Sequence, residues 1–134
     1  MHSETKLIHT SFEKNDPFGS LAMPLYHTAA YEFETAEEMA DAFQGNSSEH
    51  TYSRITNPTV QYFENRVKLM TGAFAVTALS SGMAAITNAI ITLAKAGNNI
   101  VTSSHLFGNT YSFLATTLAD FDVEARFCDL TNLQ

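Results

Sequence analysis

Ser80, Ser81 and Gly82 stand where an apolar run, Phe74 to Leu79, gives way to a helix that starts at once. The first amides of a helix have no partner inside it, and its dipole puts partial positive charge at that end. A glycine there lets an anion come close to the backbone. The junction is a candidate phosphate cup. Serine and glycine are also common at plain helix starts, so an ordinary N-cap stays open as the alternative on these residues alone. The spacing matches neither a Walker loop nor GxGxxG, which argues against a nucleoside triphosphatase and a dinucleotide binder.

Two further groups carry chemistry. In Thr51–Thr59 (TYSRITNPT), Tyr52 and Arg54 are two apart. In an extended segment they project to one side, pairing a phenol with a forked guanidinium that suits a phosphate. The plainer reading is a solvated loop before a helix. In Leu106-Phe107-Gly108-Asn109-Thr110, an aromatic at the carboxyl end of a strand can cover a planar ring. Phenylalanine is more often simply core. The five histidines (2, 9, 27, 50 and 105) show no paired ligand spacing, and Cys128 is the only cysteine, so no metal site is expected.

These groups must be positioned by two halves of unlike character. Residues 1–57 are irregular, punctuated by Pro17, Gly19, Pro24 and Gly45, with aromatics (Phe12, Phe18, Tyr26, Tyr31, Phe33) outside any helical period. One helix is expected there. Thr35 caps it, Glu38 completes a capping box, and Ala36, Met39, Ala40 and Phe43 form its apolar face. The remaining aromatics need a cover, and a second subunit is the expected one.

From Asn57 the pattern is regular. Asn57 caps a helix with Pro58 at its first position and Gly72 at its end. Val60, Phe63, Val67 and Met70 share one face, and Glu64 and Lys68 are spaced to pair. A strand over Phe74–Leu79 follows, then a helix from Gly82 to Lys95, stopped by Gly97. That helix is apolar on most sides, with only Asn88, Thr92 and Lys95 as a wet stripe, so it is expected to be largely buried. Next come a strand over Asn99–Ser103, a loop over Ser104–Asn109, a helix over Thr110–Ala119 and a strand over Val123–Phe127. This strand–helix alternation predicts an α/β fold with right-handed crossovers and a parallel sheet, whose ligands bind at the carboxyl ends of the strands. Three strands make about half of a doubly wound sheet. The chain therefore reads as the first part of a longer protein.

Bulk properties narrow the function. The chain has 134 residues, 45 % of them apolar, which indicates a globular domain and not a disordered one. Fourteen acidic residues against seven scattered basic ones give a net charge of −7, which disfavours nucleic acid as a partner. The start, Met-His-Ser-Glu-Thr-Lys, lacks the apolar core of a signal peptide, and the longest apolar stretch, Met83 to Ala94, is broken by Thr87, Asn88 and Thr92. With a lone cysteine, these features predict a cytoplasmic protein without a membrane partner.

Taken in order, Tyr52-Ser53-Arg54-x-x-Asn57-Pro58-Thr59, Ser81-Gly82-Met83-Ala84-Ala85 and Leu106-Phe107-Gly108-x-Thr110 resemble the Cys/Met-metabolism family of pyridoxal-phosphate enzymes. The resemblance runs from Thr5-Lys6-Leu7-Ile8-His9 through Asp129. The phrase Ser103–Thr110 (SSHLFGNT) is most similar to the O-acetylhomoserine sulfhydrylase branch. It implies the aspartate-aminotransferase-like fold type I. Residues 1–57 would be an extended arm that embraces a partner subunit, and residues 58–134 the first part of the cofactor-binding large domain. It also implies pyridoxal 5'-phosphate as cofactor. Gly82 and Met83 would give amides to its phosphate, with Ser81 beside them. Tyr52 and Arg54 would bind that phosphate in the neighbouring subunit's site. Phe107 would stack over the pyridine ring, where the family usually has tyrosine. Phenylalanine keeps the stacking and lacks the hydroxyl, which leaves Tyr52 as the candidate phenol for proton transfer.

The family's lysine, which joins the cofactor as a Schiff base, has no counterpart among Lys6, Lys14, Lys68 and Lys95. The same holds for the acid partner of the pyridine nitrogen and the arginine for the substrate carboxylate, all of which the family carries later in its sequence. The implied reaction is γ-replacement: an O-acetylhomoserine substrate and sulfide or a thiol give homocysteine or methionine. The 134 residues alone are expected to be inactive. Methionine γ-lyase or cystathionine γ-synthase chemistry is the nearest rival. A non-catalytic interaction fragment, working through its arm and open sheet edge, is the rival from another class.

Overall fold

Helix boundaries fall where the capping residues put them. In the computed structural model, which describes residues 2–8 and 17–131, the elements run α1 (Ser3–Ile8), α2 (Ala36–Gln44), α3 (Pro58–Thr71), α4 (Gly82–Leu93), β1 (Asn99–Ser103), α5 (Gly108–Ser112) and β2 (Glu124–Cys128). Thr35 accepts from the Glu38 amide while the Glu38 carboxylate accepts from the Thr35 amide, the capping box expected from sequence. Asn57 accepts from the amides of Thr59 and Val60, Pro58 opens α3, and Gly72 closes it in the left-handed region at φ 70°. Two compact units divide the chain between Ala78 and Leu79.

In the first unit α1 is a helix that the irregular pattern of residues 1–57 did not predict. It lies against α3. The apolar faces of α2 and α3 form as expected but are largely uncovered. Met39, Phe43, Val60, Phe63 and Met70 are all exposed, and Ala42 is the buried residue of α2. Phe18, Leu21 and Leu25 are more than three-quarters exposed, while Tyr31 and Phe33 are half-buried. Glu64 forms no ion pair with Lys68. Its carboxylate instead accepts from the Ala78 amide at 2.7 Å, within the segment where a strand was expected. Phe12, His9 and Lys14 lie outside the described residues.

That strand, Phe74–Leu79, is absent. The segment has no regular structure and pairs with no other among the described residues, and Phe74 is 96 % exposed. A strand exists only as half of a ladder, and the described residues offer 74–79 no partner edge.

The second unit holds a two-stranded parallel sheet, not the three strands expected. β1 and β2 pair from Asn99 with Glu124 to Ser103 with Cys128. β2 begins one residue late because Val123 is drawn into the core, where its amide donates to the Leu118 carbonyl at 3.0 Å. Leu114, Leu118 and Val123 form that core, with Ile90, Ile100, Leu106 and Phe127 packed against it. The crossover between the strands starts at Gly108, two residues before the expected helix. It then loosens into a π-helical turn over Phe113–Thr117 and tightens into a 3₁₀ turn over Ala119–Phe121. The wide turn seats both Leu114 and Leu118 in the core.

α4 ends at Leu93, capped by Ala94, three residues ahead of Gly97. It is not buried as expected. Ile91 and Leu93 are exposed, and no residue of the helix is fully covered. Ile90 meets the core, and Met83, Ala84, Ile86 and Thr87 are only partly covered. Asn88 and Thr92 turn their polar groups back onto the helix, donating to the carbonyls of Ala84 and Asn88. Among the described residues no helix is long and apolar enough to cross a membrane.

Packing in the second unit thus hinges on Leu118, the most buried side chain at 1 % exposure. Leu118→Ala is expected to lower stability by about 2–5 kcal/mol. Leu93→Ala, at an 83 % exposed position, is expected to change it by no more than about 0.5 kcal/mol. Urea unfolding of the two variants side by side checks the contrast.

Candidate functional site

Tyr52 and Arg54 sit on a turn, not on the extended segment that their spacing predicted. The amides of Ile55 and Thr56 both donate to the Tyr52 carbonyl, at 2.8 and 3.0 Å. The turn still brings the two side chains together: the Arg54 guanidinium carbon lies 5.4 Å from the centroid of the Tyr52 ring. No carboxylate pairs with Arg54 among the described residues. With Ser53 and residues 26–29, the two line an open depression of about 550 Å³.

What holds this turn was only partly legible in the sequence. Asn57, 8 % exposed, caps α3 with its oxygen. Its side-chain nitrogen shares two N–H groups among the Ser53 hydroxyl at 2.9 Å, the Tyr31 hydroxyl at 3.1 Å and the Tyr26 carbonyl at 3.1 Å. Ser53 is bound on every side. Its hydroxyl donates to the Thr28 carbonyl and lies 3.1 Å from Tyr31 Oη, and its amide donates to the Ala29 carbonyl at 2.9 Å. An isolated antiparallel bridge pairs Ala30 with Tyr52. Thr59 extends the seam, accepting from the Tyr26 amide and donating to the Pro24 carbonyl. His50 lies 5.5 Å from Tyr31 ring to ring, with Nδ1 2.9 Å from the Thr56 hydroxyl. Asn57 was recognised as a cap. Its second task, and the roles of Thr28, Tyr31 and Ser53, left no sequence signal, because the partners are 22 to 31 residues apart.

The second unit holds the helix start that was expected to form a cup. Ser81 is the N-cap of α4, and its hydroxyl accepts from the Ala84 amide at 3.0 Å. That leaves the amides of Gly82 and Met83 without a partner among the described residues. A Cβ built on Gly82 would meet nothing within 4 Å, so the approach is open. Two free amides at the positive end of a twelve-residue helix are a donor set that fits a phosphate. Met83 is steadied by the Thr110 hydroxyl, 3.7 Å from its sulfur, which ties the first turn of α4 to that of α5. Phe107 stands immediately before α5, 77 % exposed. It is not core, so its ring is free to stack on something else. Tyr111 by contrast packs on Phe127, ring centroids 4.6 Å apart.

Displaced ionisations lie away from these groups. Arg126 holds the Glu124 carboxyl below its usual range by a hydrogen bond in an exposed ion pair of 2.8 Å. The Thr131 hydroxyl and amide do the same for Asp129. No three His, Cys, Asp or Glu side chains gather into a metal site among the described residues.

Residues 4–134 match the Cys/Met metabolism PLP-dependent enzyme family. The chain belongs to that family. It is 38 % identical over 130 residues to L-methionine gamma-lyase of Pseudomonas putida, spanning 97 % of this chain and 33 % of that relative. A crystal structure from Campylobacter jejuni, described as an O-acetylhomoserine (thiol)-lyase carrying a pyridoxyl-lysine monophosphate, superposes with a TM-score of 0.91 at 32 % identity. It covers 99 % of this chain and 33 % of that one. The O-acetylhomoserine sulfhydrylase of Wolinella succinogenes is 52 % identical over 57 % of this chain and 22 % of its own, with a TM-score of 0.55. The fold is therefore the fold type I of PLP-dependent enzymes, and the two parallel strands are part of it. The chain spans about a third of the length of the first relatives it matches.

Two caps of unequal duty give a direct test. Thr35 caps α2 and clamps nothing remote, so Thr35→Ala is expected to lower stability by about 1 kcal/mol. Asn57→Ala loses its cap and strands the partners of the side-chain nitrogen, for about 2–4 kcal/mol. Asn57→Asp keeps the cap but sets a carboxylate against the Tyr26 carbonyl, so it should recover only part of the loss. Thermal and urea unfolding followed by circular dichroism rank the three.

Proposed function

We propose that the whole protein is a PLP-dependent enzyme of γ-replacement, joining sulfide or a thiol to O-acetylhomoserine to give homocysteine or methionine. The observation that carries this reading is the 52 % identity to an O-acetylhomoserine sulfhydrylase over more than half the chain. When bound, the cofactor draws electron density from the substrate carbons, so that protons leave Cα and Cβ and acetate leaves Cγ.

This chain's residues bind and orient. Gly82 and Met83 donate their free amides to the cofactor phosphate, with Ser81 fixing the helix end that presents them. Phe107 covers the pyridine ring and moves no proton, having no hydroxyl. Tyr52 and Arg54 bring a phenol and a guanidinium to the phosphate in the site of a neighbouring subunit, and Tyr52 is the one candidate here for a proton carrier. In this reading residues 1–57 are the embracing arm and residues 58–134 the first part of the large domain. The exposed Phe18, Leu21 and Leu25 support an arm that is covered in a homo-oligomer. A reducing cytoplasm suits a lone Cys128.

In this reading the covalent anchor is none of the four lysines of residues 1–134. Lys68 and Lys95 are exposed, on α3 and just beyond α4, while Lys14 and the Lys6 side chain lie outside the described residues. The likeness to L-methionine gamma-lyase favours a second reading, elimination from methionine.

Product analysis of the full-length protein separates the two. Homocysteine from O-acetylhomoserine and sulfide, with little methanethiol from methionine alone, is the expected result, and the reverse pattern favours the lyase. For the isolated 134-residue chain mixed with pyridoxal phosphate, the expectation is no cofactor absorbance band that survives dialysis. A surviving band abolished by changing one of its four lysines would overturn the external anchor.

A further inference from the structure

Ser53 stands between the two residues assigned to the phosphate and lines the same depression, but its hydroxyl is engaged by Thr28, Tyr31 and Asn57 in the body of the first unit. It is tied there at four points: by its hydroxyl to the Thr28 carbonyl, the Tyr31 hydroxyl and the Asn57 side-chain amide, and by its own amide to the Ala29 carbonyl. Neighbouring side chains leave the backbone in different directions, so fixing Ser53 inward commits Tyr52 and Arg54 to the outward side of the turn. The turn itself is closed by the Tyr52 carbonyl, which takes two amides from the residues just beyond Arg54. Arg54 carries a long side chain that is exposed and without an acid partner among the described residues. Such a side chain samples many rotamers unless its backbone and one face are held. The Tyr52 ring supplies the face, and Ser53 supplies the backbone.

We propose that Ser53, locked by Tyr31 and Asn57, is the positioning residue that pre-organises the Tyr52–Arg54 fork for a phosphate monoester. It touches neither cofactor nor substrate. Its contribution is to remove the ordering that binding would otherwise require of the fork. The proposal rests on the assignment of Tyr52 and Arg54 to the cofactor phosphate.

The test uses the full-length protein freed of cofactor, and compares its affinity for pyridoxal phosphate with that for pyridoxal, which lacks the phosphate. The ratio of the two isolates what the phosphate contributes, and a general loss of stability lowers both affinities together. Ser53→Ala is expected to cut the ratio about tenfold, the scale of one weakened charge-assisted contact. Tyr31→Phe removes one of the four ties and should give a smaller cut in the same direction. Ser53→Thr, which keeps the hydroxyl, should restore most of it. Arg54→Ala is the control. If it collapses the ratio while Ser53→Ala and Tyr31→Phe leave it at the wild-type value, the positioning role is overturned and the site assignment stands. If Arg54→Ala also leaves the ratio unchanged, the assignment of the fork to the phosphate is what fails, and the positioning role fails with it.

Discussion

A primary amide has two donors and an oxygen with two lone pairs, and Asn57 spends all of them inside the first unit. Its oxygen starts α3, and its nitrogen draws in Tyr26 and Tyr31 from another stretch of chain and Ser53 from the adjoining turn. A helix start and a tertiary clasp thereby become one event. Little apolar burial is available to do the same work there, since Ala42 is the only fully buried apolar residue of that unit among those described. The irregular backbone between Pro24 and Tyr31 still needs partners for its polar groups, and several are side chains converging on this point. The order of the first unit is bought largely with hydrogen bonds.

The second unit is organised the other way. Its core is a small apolar cluster closed by a crossover whose pitch widens and then tightens to seat Leu114 and Leu118. The parallel pair β1–β2 is in register over five residues, and the first turns of α4 and α5 are joined through Met83 and Thr110. Around this ordered centre much apolar surface remains, on Ile91, Leu93 and Val101 among others. A parallel strand is normally covered on both faces, and β1 is not among the described residues. That surface agrees with a chain that spans about a third of the relatives' length.

Chemically useful groups are the ones each unit leaves unsatisfied. Among the described residues every buried side-chain nitrogen and oxygen finds a partner. The Gly82 and Met83 amides find none among the described residues, the Arg54 guanidinium has only the Tyr52 ring beside it, and the Phe107 ring is largely exposed. Unused donors beside an open approach are the physical form that a ligand site takes before its ligand arrives.

By itself the sequence determined what depends on near neighbours. The capping box at Thr35, the cap and Pro58 at the start of α3, the Gly72 stop, β1 to the residue and the start of α4 all follow from residues a few positions apart. The motifs also named the family, because Tyr-Ser-Arg, Ser-Gly-Met and Leu-Phe-Gly keep their order and spacing. Tertiary structure decided whatever needs a distant partner. Residues 74–79 have the composition of a strand and do not become one, for want of an edge to pair with. α4 has the composition of a buried helix and stays half bare, for want of a layer above it. Asn57 could be read as a cap, since a cap is local. That the same side chain clasps Tyr31 could not be read, since a hydrogen bond across 26 residues leaves no period or spacing in the sequence.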